Sequence, residues 1–148
     1  MTRALVLIGF ALAFCLSGLG LAIFLSRDKE KLAVDQGLAE SFGLAVSKAA
    51  ATQAGRVDLR KVAKFPWQRV LVAEPDASKE AISRALGFEW KGELLFSTND
   101  LLIFVDGAHV ARYGDYRGTR AFAGFRRPVE VIDRDHGVLH VRGALITR

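Results

Sequence analysis

Residues 65–113 restrict the fold more than any other part of this 148-residue chain. An apolar run over 67–73 (WQRVLVA) stops at Pro75, a helical segment closes at Leu86-Gly87, and two further apolar runs meet at Asp106-Gly107. This order predicts a strand, a helix and a hairpin. The first strand is apolar on both faces, with Val70 and Val72 on one and Leu71 and Ala73 on the other, so it should be covered on both sides. Asp76 or Ser78 can cap the helix, Ile82, Ala85 and Leu86 form its buried stripe, and Gly87 suits the left-handed position past its end. A two-residue Asp106-Gly107 turn fits type I′ geometry and would set Ile103 opposite Val110 and Phe104 opposite His109. A second hairpin is expected between 129–134 and 138–142 through Asp135-His136-Gly137. Residues 114–128 then form a long loop rich in glycine, arginine and aromatics.

The N-terminal part has a different character. Residues 4–25 carry no charge, and at about 1.5 Å per residue a helix over them would be about 33 Å long, against a hydrocarbon core of about 30 Å. Residues 1–28 are therefore predicted to form a transmembrane anchor. Gly20-Leu21-Ala22 offers a signal-cleavage site, but the apolar run continues through Ile23, Phe24 and Leu25, which favours an uncleaved anchor. The only cysteine, Cys15, follows the bulky Phe14, which does not suit a lipoprotein signal, and one cysteine provides neither a disulfide nor a metal site. Residues 29–55 read as a helical stem or a packed helix. Val34, Leu38, Phe42, Ala45 and Ala49 fall on one face, and Gly55 is the expected end. Over 57–64, Asp58 either caps a short helical turn or belongs to an irregular edge. What remains, 56–148, is long enough for one small α+β domain, an antiparallel sheet of about four or five strands packed on one or two helices.

Net charge is +5, and residues 112–148 hold eight arginines against four acids. Within this segment Tyr116, Arg117, Arg120, Phe122, Phe125, Arg126 and Arg127 are the candidate contacts for an anionic lipid or a protein partner, with a solvated arginine-rich surface as the plainer alternative. Stacking of nucleic acid bases on the same aromatics does not suit a membrane-anchored chain. His136 and His140 are four residues apart, but across a turn and a strand, not on the helix that such a metal pair needs. His109 reads as a strand residue, and Glu74 and Asp76 as turn and cap residues. No nucleophile elbow, phosphate loop or dinucleotide fingerprint is present in the sequence. The chain is thus expected to be non-enzymatic and to take no cofactor or metal.

Trp67, Pro75, Ser78-Lys79-Glu80, Leu86-Gly87-Phe88, Trp90, Leu102 and Phe104 to Gly107 together resemble a group of small bacterial membrane-anchored proteins and lipoproteins of unknown function. More distantly, the helix ending in Leu-Gly and the strand ending in Asp-Gly are similar to small envelope lipoproteins of outer-membrane assembly and to β-lactamase-inhibitor-like domains. The resemblance implies a binding module outside the cytoplasm, tethered to the bacterial inner membrane by a single span, with an envelope protein as partner. The flanking charges point the other way: Arg3 stands alone before the span, and Arg27, Lys29 and Lys31 follow it.

Overall fold

The computed structural model describes residues 32–52, 55–93 and 98–148. The membrane anchor expected over 1–28 lies outside them, and no helix among the described residues is long and apolar enough to cross a membrane. The described residues belong to a compact unit, Leu32–Arg148.

Helix α1 (Gln36–Ala50) is followed by β1 (Arg56–Asp58), the short α2 (Leu59–Val62), β2 (Arg69–Ala73), α3 (Lys79–Leu86), β3 (Asp100–Asp106) and β4 (His109–Tyr116). Then come β5 (Ala121–Phe122), β6 (Val129–Asp133), β7 (Val138–Arg142) and β8 (Leu145–Thr147). The α+β class is as expected, but there are two four-stranded sheets where one was predicted. A central sheet has the order β4-β3-β2-β6 and a second sheet the order β1-β7-β8-β5. Neighbours are antiparallel except β5 and β8, which run parallel.

The central sheet has two apolar faces because β2 and β3 do. Val70, Val72, Leu102 and Phe104 enter one core with α1 and the second sheet, while Leu71, Ala73, Leu101, Ile103 and Val105 enter another with Ile82 and Leu86 of α3 and with Trp90. Helix α3 begins at Ser78, whose hydroxyl accepts from the Ala81 N–H, and ends at Gly87 with φ of 82°. The Arg69 guanidinium donates to the Leu86 carbonyl, where a cation satisfies the exposed end of the helix.

Helix α1 packs and does not stand off as a stalk: Leu38, Phe42, Val46 and Ala49 are buried in the first core. It starts at Asp35, one residue after Val34, so Val34 joins the other core. Gly55 does not end it, since the cap is Ala51. Gly55 instead sits against the second sheet, where its carbonyl accepts from Val141 at 2.6 Å. Both readings of the next segment hold, because Arg56–Asp58 is an edge strand and Asp58 also caps α2.

Three turn expectations are corrected. At the first hairpin the turn is Gly107-Ala108, with Asp106 opposite His109 and Val105 opposite Val110. Gly107 has φ of 59° and Ala108 does not share it, so glycine stands first, as in type II′. A bulge after Val110 then sets Phe104 opposite Arg112 and Ile103 opposite Tyr113. Strands β6 and β7 do not form the second hairpin. A 3-10 turn, Arg134–His136, carries the chain from the central sheet to the second one. Gly137 is there for closeness, since a Cβ on it would lie 3.0 Å from the Arg134 carbonyl and 3.1 Å from the Trp67 ring. The hairpin that does form near the C-terminus is β7–β8, through Gly143-Ala144. Finally, the predicted 114–128 loop is shorter, because Gly114 to Tyr116 extend β4 and Ala121–Phe122 is β5.

Gly55 and Gly143 provide a paired test. Both have positive φ, at 28° and 57°, but a Cβ on Gly55 would collide with the Val141 carbonyl oxygen while one on Gly143 meets open space. Gly143→Ala should cost about 1 kcal/mol and Gly55→Ala about 2–3 kcal/mol or more. Thermal unfolding followed by near-ultraviolet circular dichroism would check the order, and equal losses would show that the contact with β7 carries no weight.

Candidate functional site

The residues picked from the arginine-rich segment are largely engaged within the fold. Tyr116 and Phe122 are buried and stack edge-on against each other and beside Phe42 of α1, and Phe125 packs half-buried on Phe122. Arg117 donates at 2.7 Å to Asp115, a carboxylate only 2% exposed. Arg120 donates to the Gly143 carbonyl at 3.0 Å, Arg127 pairs with Glu74, and the backbone N–H of Arg126 binds Glu130 at 2.7 Å. Glu130, itself 4% exposed, also accepts from Arg148 at 2.6 Å. Arg117 and Arg148 thus neutralise carboxylates that folding has removed from water, and Arg127 neutralises the less buried Glu74. Of the histidines, His109 is exposed at the start of β4, His136 is exposed in the 3-10 turn and His140 is half-buried in β7.

A concavity lies elsewhere. An open cleft of about 800 Å³ runs between α1 and the β1–α2 corner, bordered by Ser41, Leu44, Lys48, Arg56, Lys61, Lys64 and Phe65 and closed at one end by Asp35 and Arg112. Its geometry follows from the packing of α1. The face carrying Leu38, Phe42 and Val46 turns into the core, so Ser41, Leu44 and Lys48 point away from it, and the corner with Asp58 and Val62 rises beside them. Leu44 is 72% exposed, more than any other large hydrophobic residue described.

Electrostatics make the cleft cationic. Asp35 accepts from the Leu38 N–H at 2.9 Å and from Arg112 at 2.8 Å, so it caps α1 and is neutralised. Arg112 also lies 4.9 Å over the Phe65 ring, a cation–π contact that fixes its head. Asp58 caps α2 and takes a two-pronged ion pair from Arg60 at 2.9 and 3.0 Å. With both acids of the lining occupied, Lys48, Arg56, Lys61 and Lys64 have no carboxylate within 4 Å among the described residues. For Asp35, burial pushes the carboxyl up, but the Leu38 N–H and Arg112 outweigh it and hold the group below the usual carboxylate range. The bidentate Arg60 contact, opposed by slight burial, holds Asp58 low as well. Asp100, half-buried on the central sheet, is pushed up by burial.

This site was missed from sequence although a signal was present. Residues 48–64 contain Lys48, Arg56, Arg60, Lys61 and Lys64 against Asp58 alone. Five cations less one acid give +4 in 17 residues, the same surplus that 112–148 spreads over 37.

The sign of the Asp35 shift sets a pH prediction. Its folded pKa lies below the unfolded value of about 3.9, so the stabilisation is complete above about pH 5 and disappears as pH falls through the folded value. Asp35→Asn keeps a competent cap but loses the ionic contact with Arg112. The variant should melt below the parent at pH 7, and the gap should close on acidification. A gap that persists unchanged at pH 2 would show that charge is not what Asp35 contributes. No family model, curated protein or solved structure matches this chain, and its function has to be sought in the chemistry of the cleft.

Proposed function

We propose that this chain is a single-pass membrane-anchored envelope protein, with its folded unit outside the cytoplasm, acting as a non-enzymatic binding module that holds an anionic group of its partner in the α1 cleft. The observation that carries this reading is the set of four cations, Lys48, Arg56, Lys61 and Lys64, that border one concavity and have no carboxylate within 4 Å among the described residues. Charges left without partners around a groove are available to an incoming anion, steer its approach and fix its register. The span over residues 4–25 supplies the attachment.

An alternative places the contact on the arginine-rich 112–148 segment. Arg112, Arg117, Arg127 and Arg148 there already serve internal carboxylates, and breaking such pairs would leave buried acids uncompensated. Arg120, Arg126 and Arg142 have no carboxylate within 4 Å among the described residues, but they do not border the cleft, which gathers its four unpaired cations around one concavity.

The two surfaces can be separated with the full chain in detergent micelles and hexaglutamate as the anionic probe. Lys48→Glu, Lys61→Glu and Lys64→Glu combined should weaken binding at least about tenfold, a loss of about 1.4 kcal/mol. Replacing Arg117, Arg120, Arg126 and Arg127 by Ser should change it less than about twofold in preparations that remain folded. The reverse ranking would move the site to the tail. Protease digestion of the folded unit in intact spheroplasts, with a cytoplasmic marker protected, is the expected result for location, and protection of the unit would overturn it.

A further inference from the structure

We infer that the anionic group held by the cleft is the phosphate of acidic phospholipid headgroups, in the bilayer that carries the anchor, so that the domain docks on its own membrane through the outer side of α1. This rests on the reading of the cleft as an anion site and of residues 4–25 as the span.

Three observations favour lipid over an acidic protein segment. The first is the mixture of side chains. Leu44 stands one turn from both Ser41 and Lys48 on the same side of α1, and half-buried Ala45, Val62 and Phe65 continue the apolar strip into the cleft. An exposed leucine ringed by lysines suits the boundary between headgroups and acyl chains. There the leucine leaves water, while the lysine stems lie along it and hold their ammonium groups among the phosphates. A purely acidic peptide segment would satisfy the lysines but not Leu44.

The second observation is the length and placement of the tether. The apolar run ends at Leu25, seven residues before Leu32, where the described structure begins. Seven residues reach at most about 25 Å fully extended. The cleft starts at that end of the domain, because Asp35 and Gly37 are among its lining residues. A surface tethered within that reach of a bilayer meets headgroups at high effective concentration, which lets weak individual contacts suffice. The third is charge along the sequence. The segment between the apolar run and the described domain carries Arg27, Lys29 and Lys31, so the chain adds a juxtamembrane basic run to the cations of the cleft, and anionic lipid attracts both.

The test uses the full chain in nanodiscs, either of phosphatidylcholine alone or with about one third phosphatidylglycerol. Cys15→Ser removes the native thiol, and Ser41→Cys carries a polarity-sensitive dye beside the cleft. Lys79→Cys provides the control at the start of α3, across the central sheet. The Ser41 dye should report an apolar environment only in the anionic discs, the change should reverse in about 0.5 M salt, and the Lys79 dye should not respond. Each cation near an anionic surface contributes about a fivefold preference. Lys48→Glu, Lys61→Glu and Lys64→Glu combined should thus lower the docked-to-free ratio at least about a hundredfold, with the melting temperature of these exposed-site variants unchanged. Equal dye signals in neutral and anionic discs, with hexaglutamate still bound by the cleft, would overturn the lipid assignment and leave an acidic protein segment as occupant. Failure of both probes would overturn the cleft reading as well. Release of the dye signal by inorganic phosphate at constant ionic strength would replace the headgroup with a free anion.

Discussion

Strand β2 is the constraint on which the fold depends. Five residues, Arg69–Ala73, are paired on both edges, with β3 and β6, and send side chains into two separate cores. A strand apolar on both faces has no solvent side, so each face needs its own cover. Helix α3 with Trp90 covers one face, and α1 with the second sheet covers the other. Burying a large side chain such as Ile82, Phe42 or Trp67 contributes about 1.5–3 kcal/mol each relative to exposure, and it is these covers, not the sheet alone, that collect such burial.

Helix α1 has a second duty, at the edge of the central sheet. The exposed backbone of β4 would be open to pairing, but α1 lies along it and the Asp35 N–H donates to the Tyr113 carbonyl at 2.8 Å. The approach is close. A Cβ on Gly114 would stand 3.1 Å from the Asp35 carbonyl and 3.3 Å from the Ala39 nitrogen. The same residue, Asp35, caps the helix, pairs with Arg112 and closes the end of the cleft. Covering an edge and shaping a binding surface are thus one packing event, and the outer side of α1 is left exposed because its inner side is fully used.

What could be read from the sequence was local. The two-faced β2, the Ser78 cap, the Gly87 stop and the hairpin after β3 each depend on neighbours within a few residues, and each was legible. The sheet partition was not. Asp135-His136-Gly137 carries the same turn chemistry whether the flanking strands pair or separate, and only the long-range packing of Gly137 beneath Trp67 and Leu59 decides for a corner. The β7–β8 hairpin was within reach, because Gly143-Ala144 repeats the Gly107-Ala108 turn with nearly the same φ, 57° and 59°. For the site, a charge count over 112–148 does not show pairing, and buried Asp115 and Glu130 occupy Arg117 and Arg148. The denser run at 48–64 straddles a helix end and an edge strand, and its members converge only once α1 has docked.

The division of labour between the two basic residue types follows from their chemistry. All five ion pairs among the described residues use arginine, and Arg134 lies 5.4 Å over the Trp67 ring while donating to that residue's carbonyl. A planar guanidinium is weakly hydrated, forks onto a carboxylate and stacks on a ring, which suits half-buried structural positions. The ammonium of lysine is a compact, strongly hydrated charge on a flexible stem, which gains little from a fixed internal partner and much from a disordered array of anions. Lysine accordingly supplies three of the four unpaired cations at the cleft, Lys48, Lys61 and Lys64. Arginines hold the buried Asp115 and Glu130, and the unpaired charge that gathers at the cleft is mainly lysine, Lys48 from α1 and Lys61 and Lys64 from α2 and the residues just after it.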